Sequence, residues 1–168
     1  CYYAMHTNFD VKGMAQLNET CLGLLNSRVL EVTGADVSGK EEGIGRVGRL
    51  EKKMTLEAFA KKVKEDFQIP DVRVYGEPEL LVEQAAVSSG SGKSMIGAAL
   101  AQRADVLVTG DIDYHSGIDA VAQGLAVVDA GHYGTEYCFI EYMTGELKVM
   151  FPELEIISAK VHHPYQVL

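Results

Sequence analysis

Between residues 81 and 147, a strand pattern followed by a helix pattern occurs three times in succession, over residues 81–103, 105–123 and 125–147. Each step opens with a short apolar run and continues through a turn that contains glycine into a helix. Successive steps of this kind favour parallel strands joined by right-handed crossovers. We therefore expect an α/β fold with mostly parallel sheets and flanking helices.

The rest of the chain adds weaker patterns to this core. Strands are expected at residues 2–5, 28–33, 72–75 and 155–159, and helices at 13–25 and 55–67. Thr55 is a good N-cap for the second helix, which Pro70 ends. The intervening stretch 34–48 is rich in glycine and charge, so we expect a connection there.

Composition limits the class of protein. The 168 residues are 47% hydrophobic and 23% charged, which fits one globular domain with a sizeable core or parts of two small ones. A net charge of −9 argues against binding to nucleic acid or to an anionic membrane. Three cysteines without CxxC spacing indicate reduced thiols and a cytoplasmic protein. We find neither a bilayer-spanning run nor a leader pattern.

The last of the three steps contains a candidate pair of metal ligands. In LAVVDAGHYGTE (125–136), His132 stands where the helix begins, and Glu136 follows four residues later. Residues at i and i+4 share one face of a helix, so an imidazole nitrogen and a carboxylate oxygen can point at one divalent cation. The alternative is that His132 caps the helix and Glu136 favours its positive end.

Polar side chains also follow two other predicted strands. His6, Asn8 and Asp10 come after residues 2–5, and Asp111 and His115 come after residues 105–109. Open α/β sheets keep their sites at the carboxyl ends of strands, so Asp10 is a plausible oxygen ligand. The alternative is that Asn8 or Asp10 caps the following helix.

Three further motifs are weaker. GIGRVG (43–48) matches the dinucleotide pattern, but no strand directly precedes it and no helix opens within it, so we expect a glycine-rich loop bordering a cleft. SSGSGKS (88–94) is not a Walker motif, because Val87 stands where glycine is required; it is either a modest anion cradle or a tight turn. His162 and His163 are surface residues or, less readily, a ligand pair.

Five ordered blocks together resemble the GTP cyclohydrolase 1 type 2 homologues, also called the NIF-three-like family. The blocks are MHTNFD (5–10), EEGIGRVGRL (41–50), AVSSGSG (86–92), VLVTGDIDYH (106–115) and VVDAGHYGTE (127–136). The resemblance implies two interlinked α/β lobes, a centre of two divalent metal ions per site and a ring-shaped homohexamer. It does not distinguish Zn, Fe, Mn, Co and Ni.

The resemblance also implies roles for particular residues. Asp10, His132 and Glu136 fall on the family's metal ligands, and His6 and His115 on positions that line the same cavity, where we expect catalytic proton transfer. Asn8, Ser91, Gly92 and Asp111 are expected substrate or pocket residues. The family takes two more histidines from a His-His-Pro motif upstream, so we expect residues 1–168 to be the C-terminal part of a longer protein. Alone, this part should bind one metal ion weakly or none.

The leading hypothesis is a metal-dependent hydrolase of a nucleotide-like or phosphorylated small molecule. Two cations would acidify water and polarise a carbonyl or phosphoryl oxygen, and a histidine can move a proton near neutral pH. One alternative is a non-enzymatic metal carrier or regulatory oligomer. Another is a nucleotide-binding module whose GTP binding is insensitive to chelators.

Overall fold

A computed structural model describes residues 2–165, and these residues form one six-stranded sheet with helices packed against it. The strands are β1 (Leu25–Ala35), β2 (Glu41–Thr55), β3 (Arg73–Tyr75), β4 (Leu81–Ser91), β5 (Val106–Gly110) and β6 (Ala126–Asp129). The α-helices are α1 (Thr7–Phe9), α2 (Ala15–Leu22), α3 (Leu56–Asp66), α4 (Ile96–Ala101), α5 (Tyr114–Ala122), α6 (His132–Glu136) and α7 (Cys138–Met150). A π-helical segment, Asp10–Met14, joins α1 to α2, and a 3₁₀ turn, Lys93–Met95, precedes α4.

The sheet is mixed, with the strand order β1-β2-β4-β5-β6-β3. Strands β4, β5 and β6 are parallel, and the other pairings are antiparallel. The α/β class is confirmed, whereas parallel pairing is confined to the strands of the three predicted strand–helix steps. The antiparallel strands come from the weaker patterns on either side, which carry no crossover helix.

Both faces of the central strands are buried, which explains their continuous apolar runs. Val106 and Val108 of β5 pack in one core with Phe59 of α3. Leu107, between them in sequence, packs in the other core with Ala99 of α4. This alternation is the two-residue period of a strand, and it places helices on opposite sides of the sheet.

The glycine-rich stretch 43–48 is strand, not loop, so that prediction was wrong. It lies within β2, antiparallel to β1. A Cβ at Gly43 would lie 1.9 Å from the carbonyl oxygen of Glu31, and one at Gly48 would lie 2.9 Å from that of Leu25. Glycine is therefore needed at these positions because the two strands approach closely. This packing requirement explains why the stretch matches the glycine pattern of a dinucleotide-binding motif.

Other predicted boundaries also differ. Strand β4 runs through residues 88–91, which were expected to be a turn, because Ser91 pairs with Gly110 of the neighbouring strand. Residues 2–5 and 155–159 are not strands. Ile157 is 82% exposed, so the apolar residues of the later segment find no sheet to pack on.

Helix α2 ends earlier than expected, at Leu22. The next residue, Gly23, has φ +64° and its N–H bonds back to Glu19 and Thr20, which is the left-handed cap favoured by glycine. The predicted helix 133–147 is divided at Tyr137 into α6 and α7. Among residues 2–165, no helix has the length and apolar character needed to cross a membrane.

We predict that Asp113→Ala lowers the urea midpoint of unfolding at neutral pH. The Asp113 carboxylate caps α5 by accepting from Ser116 N at 3.0 Å and binds Lys93 Nζ at 2.9 Å. The Lys93 contact, followed by the bonds from Ser116, lowers the pKa of Asp113. A lowered folded pKa means stability that is present above the unfolded pKa and is lost as pH falls.

The difference in urea midpoint between wild type and Asp113→Ala should therefore shrink as the pH falls below about 4. The matched control is Asp119→Ala, an exposed acidic residue in the same helix. Equal effects of the two substitutions across the pH range would contradict the capping role.

Candidate functional site

A cavity of about 320 Å³ lies where β4 ends and α6 begins. Most of its lining residues have polar side chains: serines from the end of β4 and the turn after it, and ionisable residues from two other segments. Its lining residues are His6, Asp10, Ile44, Ser88, Ser89, Gly90, Ser91, Ser94, Met95, His132 and Glu136. The cavity thus unites four separate stretches of the sequence.

His132 and Glu136 form the centre of the site. Their Nε2 and Oε2 atoms are 3.4 Å apart, one helical turn from each other on α6. The other ring nitrogen, Nδ1, lies 2.7 Å from Oδ2 of Asp111. Asp111 therefore holds the imidazole from behind and leaves Nε2 facing the cavity, which is the arrangement typical of histidines that bind metals. Gly131, not His132, is the N-cap of α6, so the capping interpretation of His132 was wrong.

The charges around His132 and Glu136 favour the protonated, positively charged form of His132. The hydrogen bond to Asp111 is the main cause that raises the pKa of His132, and the charges of Glu136 and Asp10 act in the same direction. Burial is the main cause that raises the pKa of Glu136, and the negative charge of Asp10 adds to it. Three carboxylates thus surround one imidazole, and a bound cation would relieve their mutual repulsion.

Asp10 reaches the cavity from the N-terminal segment. It opens the π-helical segment, and its Oδ2 lies 3.8 Å from Nε2 of the exposed His6. The ring of Phe9 anchors this turn by an edge-to-face contact with Phe139 of α7, at 4.9 Å between centroids. Neither Asn8 nor Asp10 caps a helix through its side chain, so that alternative was wrong.

Asp129 holds the two loops that carry the site, and the sequence reasoning missed it. Its side chain is 2% exposed and pairs with Arg73 at 2.5 Å. It also accepts hydrogen bonds from the backbone N–H groups of Ile112 at 3.1 Å and Gly131 at 3.0 Å. These residues directly adjoin Asp111 and His132. The available signal was an acidic residue at the end of a buried apolar strand, two residues before a glycine.

Gly90 shapes the wall opposite the pair. Its φ is +63°, and a Cβ there would lie 2.6 Å from Oε1 of Glu136 and 3.3 Å from Nε2 of His132. Its N–H donates to Thr135 Oγ1 at 2.9 Å, which ties β4 to α6. The absence of a side chain therefore leaves room for a ligand beside the two functional groups.

We predict that Gly90→Ala weakens divalent-metal binding and lowers the free energy of unfolding by about 1–2 kcal/mol, the cost of a left-handed non-glycine residue. The added methyl would displace Glu136 and His132. Metal titration and urea unfolding test both effects. Gly97→Ala is the control, because a Cβ there meets no atom within 4 Å and alanine favours a helix. Undiminished metal affinity in Gly90→Ala would contradict this account of the wall.

The structure brings most, not all, of the predicted site residues together. His6, Asp10, Ser91, His132 and Glu136 line the cavity, and Asp111 supports His132 from outside it. Three others lie outside the lining. Asn8 is exposed on α1, Gly92 packs against Thr109, and His115 contacts the ring of Tyr114 at 5.4 Å between centroids.

The histidine doublet lies at a different place. His163 packs edge-to-face on the rings of Tyr133 and Tyr137, and the backbone N–H of His162 donates to Tyr133 Oη at 3.1 Å. Neither histidine lines the cavity. Within residues 2–165, no group of three or more His, Cys, Asp or Glu side chains is arranged so that it could hold a metal ion.

Comparison with known proteins identifies the family. The model of the family described as Duf34/NIF3 (NGG1p interacting factor 3) matches residues 1–164. The chain belongs to the Duf34/NIF3 family. The resemblance drawn from the five sequence blocks is therefore confirmed.

The curated relatives of this Duf34/NIF3 chain include two proteins named GTP cyclohydrolase 1 type 2 homolog. The one from Clostridium acetobutylicum is 38% identical over 148 residues, covering 87% of this chain and 54% of that protein. The one from Halalkalibacterium halodurans is 40% identical over 156 residues, covering 88% of this chain and 42% of that protein. The chain thus spans about half the length of these relatives.

Solved structures support the same fold. The Bacillus cereus protein related to NIF3 superposes with a TM-score of 0.88 at 22% identity, over 99% of this chain and 73% of that one. Reduced HcgD from Methanocaldococcus jannaschii superposes with a TM-score of 0.69 at 30% identity, over 88% of this chain and 56% of that one. The α/β architecture is therefore that of NIF3-like proteins.

Proposed function

We propose that this Duf34/NIF3 chain contributes a divalent-metal site to a metal-dependent hydrolase of a nucleotide-like or phosphorylated small molecule. The observation that carries the proposal is the pair His132 Nε2 and Glu136 Oε2, 3.4 Å apart in one cavity with Asp10. Nitrogen and carboxylate oxygen donors suit Zn, Fe, Mn, Co and Ni, so the donor set fits the family's metal without selecting one. A metal bound there would acidify water and polarise a carbonyl or phosphoryl oxygen.

The chain's own residues supply orientation and proton transfer. Asp111 fixes the tautomer of His132, with Nδ1 protonated and Nε2 free to coordinate. His6, at the mouth of the cavity beside Asp10, is placed to carry a proton to or from a substrate. The hydroxyl groups of Ser89 and Ser91 give the opposite wall hydrogen-bonding groups for phosphate or ribose oxygens.

Metal binding by the 168-residue chain alone should be weak. The chain offers His132 and Glu136 as one close pair of ligand groups, with Asp10 in the same cavity. A stable site for such metals needs at least three protein ligands, and no group of three is arranged to hold a metal ion within residues 2–165. We propose that the remaining ligands, and a homo-oligomer as large as a ring-shaped hexamer, come with the longer protein. The second metal ion expected for the family belongs to that complete site.

The test is metal titration with Co²⁺, Mn²⁺ and Zn²⁺ on the chain and on the longer protein. His132→Ala, Glu136→Gln and Asp10→Asn should abolish or strongly weaken binding, and Asp111→Asn should weaken it about 10–100-fold as the loss of a supporting carboxylate. Glu146→Gln, an exposed change on α7, is the control. Unchanged affinity in His132→Ala would overturn the proposal.

Turnover distinguishes the hydrolase from a second candidate, a metal carrier. The side chains of His132 and Glu136 are 52% and 36% exposed, and this openness favours rapid exchange of the ion. The metal-loaded longer protein should hydrolyse GTP or a phosphoester model substrate in a chelator-sensitive reaction. Stoichiometric metal that exchanges rapidly without turnover would favour the carrier instead.

A further inference from the structure

One wall of the candidate metal cavity is formed by the serine-rich segment 88–94. Its residues that line the cavity are Ser88, Ser89, Gly90, Ser91 and Ser94. The hydroxyl groups of the four serines make no hydrogen bond to any other group of residues 2–165. Four serines with uncommitted hydroxyl groups therefore line one cavity, beside the proposed metal ligands.

Ser88 is the most informative of the four, because it is only 2% exposed. A buried hydroxyl group without a partner costs free energy, so most buried polar groups in proteins are hydrogen-bonded. The cavity that Ser88 lines is the place where its hydroxyl group can find a partner. This residue therefore points to a ligand that hydrogen-bonds to the serine wall.

The backbone of the segment has few donors left for an anion. The N–H of Gly90 donates to Thr135 Oγ1 at 2.9 Å. The N–H of Gly92 donates to the carbonyl oxygen of Gly110 at 3.4 Å, and the N–H of Met95 donates to that of Gly92 at 2.9 Å. An anion cradle needs several N–H groups that converge on one point, and these three are bonded within the protein.

The charged side chains of the cavity also disfavour an anion. Lys93, the cation within the segment, binds Asp113 at 2.9 Å between Nζ and Oδ2 and does not line the cavity. No other lysine or arginine of residues 2–165 lines it, and its two histidines each lie beside a carboxylate. In the absence of metal, the carboxylates of Asp10 and Glu136 would repel a phosphate group.

We propose that segment 88–94 binds the uncharged vicinal diol of a ribose unit. The inference rests on the proposed function and narrows its substrate to a ribose-bearing molecule whose reacting group lies at the metal pair. A hydroxyl group both donates and accepts, so the serines and the diol satisfy each other without a charge. Ile44 and Met95 supply an apolar surface for the C–H groups of the sugar.

The test is equilibrium binding to the metal-free chain in the presence of chelator, followed by the amide chemical shifts of segment 88–94. Uridine, which carries the diol, should bind, and dideoxyuridine, which lacks both hydroxyl groups, should bind about tenfold more weakly. UMP should bind no more tightly than uridine, because the wall offers no cation to its phosphate. Methyl ribofuranoside identifies the source of the diol. Affinity equal to that of uridine supports recognition of the sugar alone, and weaker binding supports recognition of a nucleoside.

Variants separate recognition of the diol from stability. Ser88→Ala should weaken uridine binding several-fold and leave dideoxyuridine binding unchanged. It should not lower the free energy of unfolding, because the hydroxyl group has no partner in the folded protein. Ser38→Ala, in the exposed turn between β1 and β2, is the control and should change neither affinity. Lys93→Ala should leave UMP binding unchanged.

Equal affinities for uridine and dideoxyuridine, tighter binding of UMP than of uridine, or weaker UMP binding by Lys93→Ala would each overturn the proposal. These measurements exclude metal, so they are independent of the metal titrations. Loss of the diol preference with intact metal binding would overturn the ribose subsite alone. A diol preference in a protein that binds no metal would support the subsite and overturn the proposed metal-dependent function.

Discussion

Replacing Asp129 with alanine is expected to lower the free energy of unfolding by about 3 kcal/mol and to weaken metal binding in the same protein. The carboxylate is buried and accepts from the backbone N–H groups of Ile112 and Gly131 as well as from Arg73. Removing it leaves buried donors unpaired, at about 1–3 kcal/mol each. Because those N–H groups belong to the loops that carry Asp111 and His132, the proposed metal ligand His132 should lose its fixed orientation.

Urea unfolding and Co²⁺ titration of Asp129→Ala measure the two effects. Arg73→Ala is the matched control, because its side chain is 65% exposed and its removal leaves the carboxylate bound to both N–H groups. This variant should lose much less stability and retain its metal affinity. If Asp129→Ala bound Co²⁺ as tightly as wild type, Asp129 would have a purely structural role.

Replacing Phe59 with alanine is expected to cost about 3–5 kcal/mol of unfolding free energy, because it opens a cavity in the core. Phe59 is 0% exposed and packs with Leu56 and Val63 of its own helix against the sheet. It does not line the candidate metal cavity. The fraction that remains folded should therefore bind metal as wild type does.

Urea unfolding at an unchanged m-value tests this cost, and Phe59→Leu, which leaves a smaller void, should lose less. If Phe59→Ala lowered the free energy of unfolding by less than about 1 kcal/mol, the neighbouring core side chains would have moved in to fill the cavity. Reduced metal affinity at full folding would instead indicate a coupling between α3 and the cavity that no direct contact explains.

The sequence patterns predicted the central strands well because burial on both faces demands continuous apolar runs. Strands β5 and β6 begin and end within one residue of their predicted limits. The helix α3 began after Thr55 as expected, with the Thr55 side chain accepting from Ala58 N at 3.2 Å. Such local signals need no knowledge of distant neighbours.

Strands with unusual composition could not be predicted in this way. Residues 43–48 look like a loop because glycine has low strand propensity, but β1 lies so close that side chains are excluded. The serines at the end of β4 look like a turn, but Ser91 is drawn into the sheet by pairing with Gly110. In both cases a neighbouring strand overrides the local preference.

The sequence was sufficient to predict the family, the α/β class and Asp10, His132 and Glu136 as candidate ligands. These predictions depend on short motifs and on the spacing of apolar residues, which can be recognised without knowing the tertiary structure. Only the folded chain revealed that Asp111 orients His132 and that Asp129 ties the two loops together. These contacts join residues far apart in sequence, and their hydrogen-bond geometry depends on how the helices pack on the sheet.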